Sequence, residues 1–316
     1  MRALGRMRGR HALIALSALA CAAAAFVQVR SRQAERRHRI RGRFIDVEGV
    51  RLHYVERGSG PALVLVHGLG SMIDDFVLSG LVARAAEHYR VIAIDRPGYG
   101  RSSRPRTRRW TVAAQAELLH AALRRLDVHA PVLIGHSLGA SIALAYALRF
   151  PVERLVLVSG LYYPSLRFDA PPLIPPAIPG IGTLLRYTVS PVLGRLAWPA
   201  WLRLIFAPAP VPRRFRSFPA WMVMRPETLR AIGEDAAYLL PAVSAMAKDY
   251  KRLRVPTTVL AGRDDRYVSA RAHSMRLQRE IAGSELVVVP GAGHMLHHLA
   301  PEAVMLAALG RTPAHV

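Results

Sequence analysis

Cysteine is almost missing from this 316-residue chain, with Cys21 the only one. An intramolecular disulfide is therefore excluded, as is any metal site built from several thiolates. Lysine is nearly as scarce, occurring only as Lys248 and Lys251, and the 21 acidic residues face 44 basic ones. The resulting formal charge of +23 is carried almost wholly by arginine. Such a balance fits either a functional basic surface or a compositional habit of the coding sequence. No nucleic-acid recognition motif accompanies it, so no specific nucleic-acid partner is expected. Also missing are a phosphate-binding glycine loop, a His/Asp/Glu cluster with metal-ligand spacing, and any internal repeat. Neither a cofactor nor a metal is called for. What is present is apolar: 52% hydrophobic residues, ample for a folded core.

The first 43 residues hold eleven arginines and one glutamate, a net charge of +10. Arg2, Arg6, Arg8 and Arg10 precede residues 12–27, which are apolar except for Ser17. A positive segment followed by a hydrophobic one is the layout of a signal peptide or an uncleaved signal anchor. The apolar run is short for a span, and small-residue cleavage positions such as Ala18-Leu19-Ala20 are available. Membrane attachment through this segment and secretion after its removal are both open. Seven arginines follow the run and four precede it. The positive-inside count and the signal-like layout thus point the catalytic side in opposite directions. Residues 30–43 read as a solvated basic linker able to touch anionic headgroups.

From residue 44 onward, short apolar runs alternate with helical patterns. Residues 43–47 and 51–56 form a hairpin pattern around Glu48-Gly49. Apolar runs at 62–66, 91–94, 132–134, 155–158, 257–260 and 285–289 read as buried strands, with helical stretches at 75–88, 111–126, 140–148, 270–281 and 296–309. Strands alternating with helices at this spacing imply a mostly parallel sheet covered on both faces. The alternation breaks at residues 161–241, which are rich in proline, tryptophan and arginine and lack a strand run. That segment reads as an inserted, mainly helical cap. The organisation expected is a leader of residues 1–43, a core of 44–160 and 242–316, and a cap of 161–241.

The organising stretch is Gly135-His136-Ser137-Leu138-Gly139, which fits G-x-S-x-G between a strand and a helix. This is the pattern of a nucleophile elbow, a turn so tight that its serine takes strained backbone angles. The flanking glycines are required because a Cβ there would strike the neighbouring strand or helix. The turn lifts the Ser137 hydroxyl clear of the sheet and places the Leu138 N–H at a helix start, where negative charge is favoured.

Other landmarks sit at other strand ends: His67-Gly68-Leu69-Gly70, Asp95-Arg96-Pro97-Gly98-Tyr99-Gly100, Gly262-Arg263-Asp264-Asp265 and Gly291-Ala292-Gly293-His294. In this order the chain resembles the α/β-hydrolase superfamily over residues 44–309. The resemblance implies an α/β fold: an eight-stranded, mostly parallel sheet with one antiparallel strand, helices on both faces, and a helical cap after the sixth strand. It implies a catalytic triad of Ser137, His294 and Asp265, in the chain order expected of this fold. Serine alone is a weak nucleophile; His294 would be its base, and Asp265 would hold the imidazole tautomer. The N–H groups of Leu69 and Leu138 would form the oxyanion hole, with Gly68 allowing close approach.

Competing assignments exist for several residues. Asp264 stands beside Asp265 and would otherwise cap the loop or face solvent. His297 and His298 follow His294 but fall in a helical pattern, as helix-face residues. His67 would support the oxyanion loop, His136 would be a packed spacer, and Asp95 would fix the loop after the fourth strand. The activity implied is hydrolysis of a small hydrophobic carboxylic ester through an acyl-enzyme. Carbon–carbon bond hydrolysis, cofactor-free haloperoxidase chemistry, and a non-catalytic binding role share the same fold. Epoxide hydrolases and haloalkane dehalogenases of the superfamily carry aspartate where this chain has Ser137.

Overall fold

The computed structural model describes residues 2–38, 41–165 and 171–311, with side chains described from residue 11 onward. Arg39 and Ile40 of the basic linker and residues 166–170 of the cap segment lie outside the described residues.

Helix α1 (Arg2–Arg37) leads into the hairpin β1 (Arg43–Val47) and β2 (Val50–Arg57). Positive φ angles of 49° at Glu48 and 76° at Gly49 make its two-residue turn. Strand β3 (Ala62–Val66) is followed by α2 (Ile73–Ser79) and α3 (Leu81–Ala85). The sequence pattern predicts one helix over 75–88. Gly80 divides it, because its left-handed φ of 81° ends one helix and precedes the next. Then come β4 (Arg90–Ile94), α4 (Val112–Arg125), β5 (Val132–His136), α5 (Leu138–Ala147) and β6 (Arg154–Val158). The Thr111 hydroxyl caps α4 by accepting a hydrogen bond from the Ala114 N–H.

The chain leaves the sheet after β6 and builds the helical cap from α6 (Ile181–Tyr187), α7 (Val189–Phe206), α8 (Ala220–Val223) and α9 (Pro226–Met246), joined by 3₁₀ turns. It returns through β7 (Thr257–Gly262), α10 (Ser274–Glu280), β8 (Glu285–Val289), α11 (Leu296–Leu299) and α12 (Pro301–Ala308). The helix expected over 296–309 breaks before Pro301, where Ala300 adopts non-helical angles because the residue before a proline is pushed out of the helical region. The helix expected over 270–281 begins only at Ser274.

The eight strands lie in the order β1-β2-β4-β3-β5-β6-β7-β8. All neighbours from β4 to β8 pair in parallel, and β2 runs antiparallel to both β1 and β4. β2 is thus the single reversed strand, as expected. Every residue of β5 is buried, which matches a run lacking polar alternation. One apolar layer packs α4, α5 and part of α9 on one face of the sheet, and a second packs α2, α3 and α12 on the other. A third core joins the cap to the loops at the strand ends through Phe206, Phe215, Met222 and Ile232.

The basic stretch expected as a solvated linker differs from that reading. The helix continues through Arg37, and its last three turns lie on the body of the protein. Val27 is fully buried, Ser31 is nearly so, and Phe26 meets Trp221 edge-on at 5.9 Å. Glu35 pairs with Arg225 of the cap at 2.9 Å, and His38 bonds to Asp74 at 2.9 Å. These contacts stabilise the helix beyond what its composition alone would give.

Candidate active site

Ser137 stands at the carboxyl end of β5, the strand at the centre of the sheet. Its φ of 54° and ψ of −120° are strained for a residue with a side chain. The surroundings enforce the strain. A Cβ on Gly139 would lie 2.0 Å from the Val66 carbonyl oxygen, and one on Gly135 would lie 2.3 Å from the Gly139 carbonyl oxygen. Only glycine lets β3, β5 and α5 meet this closely.

His294 follows β8 and Asp265 follows β7, so all three residues gather at the carboxyl edge of the parallel strands. The His294 Nδ1 is 2.9 Å from Oδ2 of Asp265, and both side chains are buried. The other carboxylate oxygen, Oδ1, accepts hydrogen bonds from the Tyr267 and Val268 N–H groups, each at 2.8 Å. The carboxylate is therefore held at both ends, with Nδ1–H donating to it and Nε2 left for chemistry. Asp264 points elsewhere: its Oδ2 accepts from the Gly291 N–H at 2.8 Å and ties the two loops together.

Ser137 and His294 line one cavity of about 40 Å³, walled by Trp198, Trp201 and Leu202 from α7 and by Phe218 and Tyr267. Leu69 and Gly68 line it as well. A Cβ on Gly68 would sit 3.0 Å from the Ser137 Cβ, so the loop after β3 is pressed against the elbow. Leu138 is the first residue of α5, directly after the serine. Two tryptophans of the cap serve in its packing. Trp198 stacks on Phe218 and Trp201 packs edge-on against Tyr267, both as cavity wall.

Two buried networks hold this arrangement, and sequence reading gave neither its full weight. In the first, the Arg96 guanidinium donates to the carbonyls of His67 and Gly68, each at 2.9 Å, and pairs with Asp235 of α9 at 2.7 Å. Asp235 also pairs with Arg104 at 2.9 Å and accepts from the Tyr99 hydroxyl at 2.8 Å. Burial alone would raise the Asp235 carboxyl, but the two guanidiniums hold it below the usual carboxylate range. The loop carrying Leu69 is thereby clamped to the cap. His67 supports the same loop: Nε2 accepts from the Arg96 N–H at 3.0 Å, and Nδ1 donates to the Gly68 carbonyl at 2.9 Å. Burial, and then Arg96, lowers it to about 4, so the ring stays neutral.

The second network lies beneath His294. His136 Nε2 donates to the His294 carbonyl at 3.1 Å, so the spacer position in the elbow also anchors the loop of the proposed base. His297 and His298 lie in α11, as the helical pattern implied. Both are buried, with Nε2 atoms 3.1 and 2.6 Å from Oδ1 of Asp75. Burial would raise Asp75, but attraction to His297 and the hydrogen bond from His298 hold it well below the usual range. Sequence spacing shows no such metal-like group, because Asp75 is more than two hundred residues away. The three ligand atoms lie within 4.8 Å of one another. The two contacts share one carboxylate oxygen, and the one at 2.6 Å is a hydrogen bond. Asp95 behaves as the sequence suggested. It accepts from Ile73 N–H at 2.9 Å, Arg101 N–H at 3.0 Å and His53 Nδ1 at 2.7 Å, fixing the loop after β4.

A strained serine at a strand–helix turn, below a helical cap on a mostly parallel sheet, defines the nucleophile-elbow class of α/β proteins. Residues 61–301 match the model of the alpha/beta hydrolase fold family, and the chain belongs to that family. It is 28% identical over 270 residues to the 2-hydroxy-6-oxo-2,4-heptadienoate hydrolase of Pseudomonas putida, spanning 80% of this chain and 89% of that protein. Its fold is similar to that of an esterase from Exiguobacterium antarcticum, with a TM-score of 0.69, 21% identity, and coverage of 85% and 98% of the two chains. It is similar as well to a bacterial membrane phospholipase A, with a TM-score of 0.65, 23% identity, and 98% of both chains covered.

Proposed function

We propose that this hydrolase cleaves a small hydrophobic carboxylic ester, using Ser137 as nucleophile, His294 as general base and Asp265 to orient the imidazole. The observation that carries the reading is the shared cavity. A serine in strained geometry and a histidine fixed through Nδ1 by a buried carboxylate open onto the same small space. In this mechanism His294 Nε2 takes the hydroxyl proton as Oγ attacks the ester carbonyl. The N–H groups of Leu69 and Leu138 receive the oxyanion. Collapse expels the alcohol with the proton returned by His294, and water then cleaves the acyl-enzyme by the same base.

The ester rather than another substrate is supported by the wall. Among the described residues lining the cavity there is neither lysine nor arginine, while Trp198, Trp201, Leu202, Ile205, Phe215 and Phe218 are all present. A carboxylate-bearing substrate would lose its hydration there without a cationic partner. The cavity of about 40 Å³ admits only a few atoms, so the α7 wall must shift to seat an acyl chain. Carbon–carbon bond hydrolysis is the second reading, favoured by the 28% identity to the Pseudomonas putida enzyme.

The cellular setting belongs to the same proposal. Although its apolar run is short, helix α1 over residues 11–37 is long and apolar enough as a whole to cross a bilayer by length and composition, and its most apolar part is almost entirely unburied. We read residues 1–43 as a membrane-attached leader and 161–241 as the cap domain; the alternative to attachment is secretion after cleavage of the leader. The test is turnover of p-nitrophenyl esters of short and medium chain length by the full chain, beside a 2-hydroxy-6-oxo-dienoate. Ester turnover above that of Ser137→Ala supports the reading. Turnover of the dienoate alone moves the assignment to carbon–carbon hydrolysis.

A further inference from the structure

Exposed large apolar side chains in the cap are concentrated in one place. Ile178, Ile181 and Leu184 lead into Val189, Leu193 and Leu196, and Leu196 is 72% exposed. Spacings of three and four residues put Ile181 with Leu184, and Val189 with Leu193 and Leu196, on one face of α6 and of α7. The two helices pack on each other, and both touch α1. Leu13, Ile14, Leu16 and Leu19 of α1 are exposed as well, each by more than half. A soluble surface seldom leaves so large an apolar area uncovered.

Directly beside this area, a cavity of about 630 Å³ opens between α1 and the cap. Four arginines line it: Arg30, Arg37 and Arg41 from the leader and Arg195 from α7. Arg30 lies over the Trp221 ring at 5.0 Å. Arg37, Arg41 and Arg195 have no carboxylate partner among the described residues. The cavity's one acid, Asp74, is engaged with His38 at 2.9 Å. At a rise of 1.5 Å per residue, Arg30 and Arg37 lie about 5 and 15 Å beyond Val27 along the helix. That brackets the headgroup layer, which is about 5–8 Å deep on each side of a bilayer.

We propose that this end of the molecule is a bilayer-docking face in which α6 and α7 lie in the interface, and that the four-arginine cavity seats the phosphate of an anionic phospholipid. It rests on the reading that α1 is held in a bilayer. A bilayer rather than a second copy of the chain is the occupant for two reasons. The apolar area is continuous with the exposed apolar part of α1. A self-association would also bring two sets of unpaired arginines together in a chain already carrying +23. The arrangement connects to the active site through one helix: α7 presents Leu193 and Leu196 outward and Trp198 and Trp201 to the catalytic cavity. A substrate dissolved in lipid reaches Ser137 by displacing that helix's inner wall, without crossing water.

The test uses the full chain with Cys21→Ser, reconstituted in phosphatidylcholine vesicles with or without phosphatidylglycerol. Polarity-sensitive fluorophores are placed singly through Leu193→Cys, Leu16→Cys and, at the opposite end of the sheet, Ala282→Cys. The expected result is strong quenching by chain-labelled lipid at positions 193 and 16, with aqueous iodide quenching position 282 alone. A fluorophore through Ser217→Cys, in the cavity wall, reads headgroup-labelled lipids. It should prefer phosphatidylglycerol over phosphatidylcholine, and Arg37→Gln with Arg195→Gln should lower that preference by about 25-fold, each charge contributing about fivefold. Lipid quenching at 16 with iodide quenching at 193 would overturn the docking face and leave the anchor standing. Iodide quenching at both would remove the anchor as well. Shielding of 193 from both quenchers would mean that a second copy covers it, and would overturn the proposal. A lipid preference unchanged by the arginine substitutions, or abolished by millimolar inorganic phosphate, would overturn the headgroup site.

Discussion

His294 Nδ1 lies 2.9 Å from Oδ2 of Asp265, while the neighbouring Asp264 turns its carboxylate to the Gly291 N–H at 2.8 Å. Two adjacent acids of identical chemistry are thus separated by what each faces. Asp265→Asn should lower kcat by about 10⁴, since an amide stabilises the wrong imidazole tautomer. Asp264→Asn should cost roughly tenfold or less. Steady-state ester hydrolysis by the two variants checks this, and the reverse ranking would exchange their roles.

The elbow glycines should divide sharply from a loop glycine. Gly139→Ala drives a Cβ into backbone, 2.0 Å from the Val66 oxygen, and should cost more than about 3 kcal/mol or abolish folding. Gly291 has open space around it and only a positive φ of 69°, so Gly291→Ala should cost about 1–2 kcal/mol. Denaturant unfolding of both variants measures the difference. Similar losses at the two sites would contradict the packing argument.

Much of this was legible in the sequence, for identifiable reasons. β5 reads as a buried strand because Val132, Leu133 and Ile134 lack polar alternation, and Gly135 and Gly139 flank Ser137 because the turn admits no side chain. The eight-stranded sheet with one antiparallel strand was implied by the family resemblance that the landmarks at successive strand ends carry, while the order of the strands came only from the structure. What stayed hidden depends on contacts between distant parts of the chain. Nothing near Asp235 in sequence shows that it meets Arg96 and Arg104, and nothing near Asp75 shows that His297 and His298 converge on it. The end of α1 looked like a solvated linker because seven arginines suggest solvent. The packing of Val27, Ser31 and Ala34 against the cap keeps it helical instead.

The clamp between the cap and the loop after β3 should be essential to stability. Asp235→Asn leaves the buried guanidiniums of Arg96 and Arg104 short of charge and should cost about 3–5 kcal/mol. Removing one partner from a buried ion pair costs far more than the intact pair contributes. Unfolding of the variant in parallel with wild type tests this, and a loss below about 1 kcal/mol would show that solvent reaches the pair.

Acid should weaken the fold well before its carboxylates titrate. His67 is held at about 4 by burial, and burial also holds His136 well below the ordinary histidine value of about 6.5. In the unfolded chain these rings take up protons near pH 6.5 and in the folded chain they do not. Stability is therefore full above about pH 6.5 and declines as the pH falls toward 4. Each ring contributes a slope of at most about 1.4 kcal/mol per pH unit. The melting temperature should drop measurably between pH 7 and pH 5, and a flat profile over that interval would contradict the neutral, buried assignment of both rings.

The central claim is that Ser137 is the nucleophile, activated by His294. Its most direct measurement is labelling of the full-length protein with a fluorophosphonate probe, followed by peptide mapping, in wild type, Ser137→Ala and His294→Ala. The account predicts a single modified serine, Ser137, with labelling lost in Ser137→Ala and slowed by several orders of magnitude in His294→Ala. Modification of a different serine with Ser137 untouched, or labelling at an undiminished rate without His294, would contradict it.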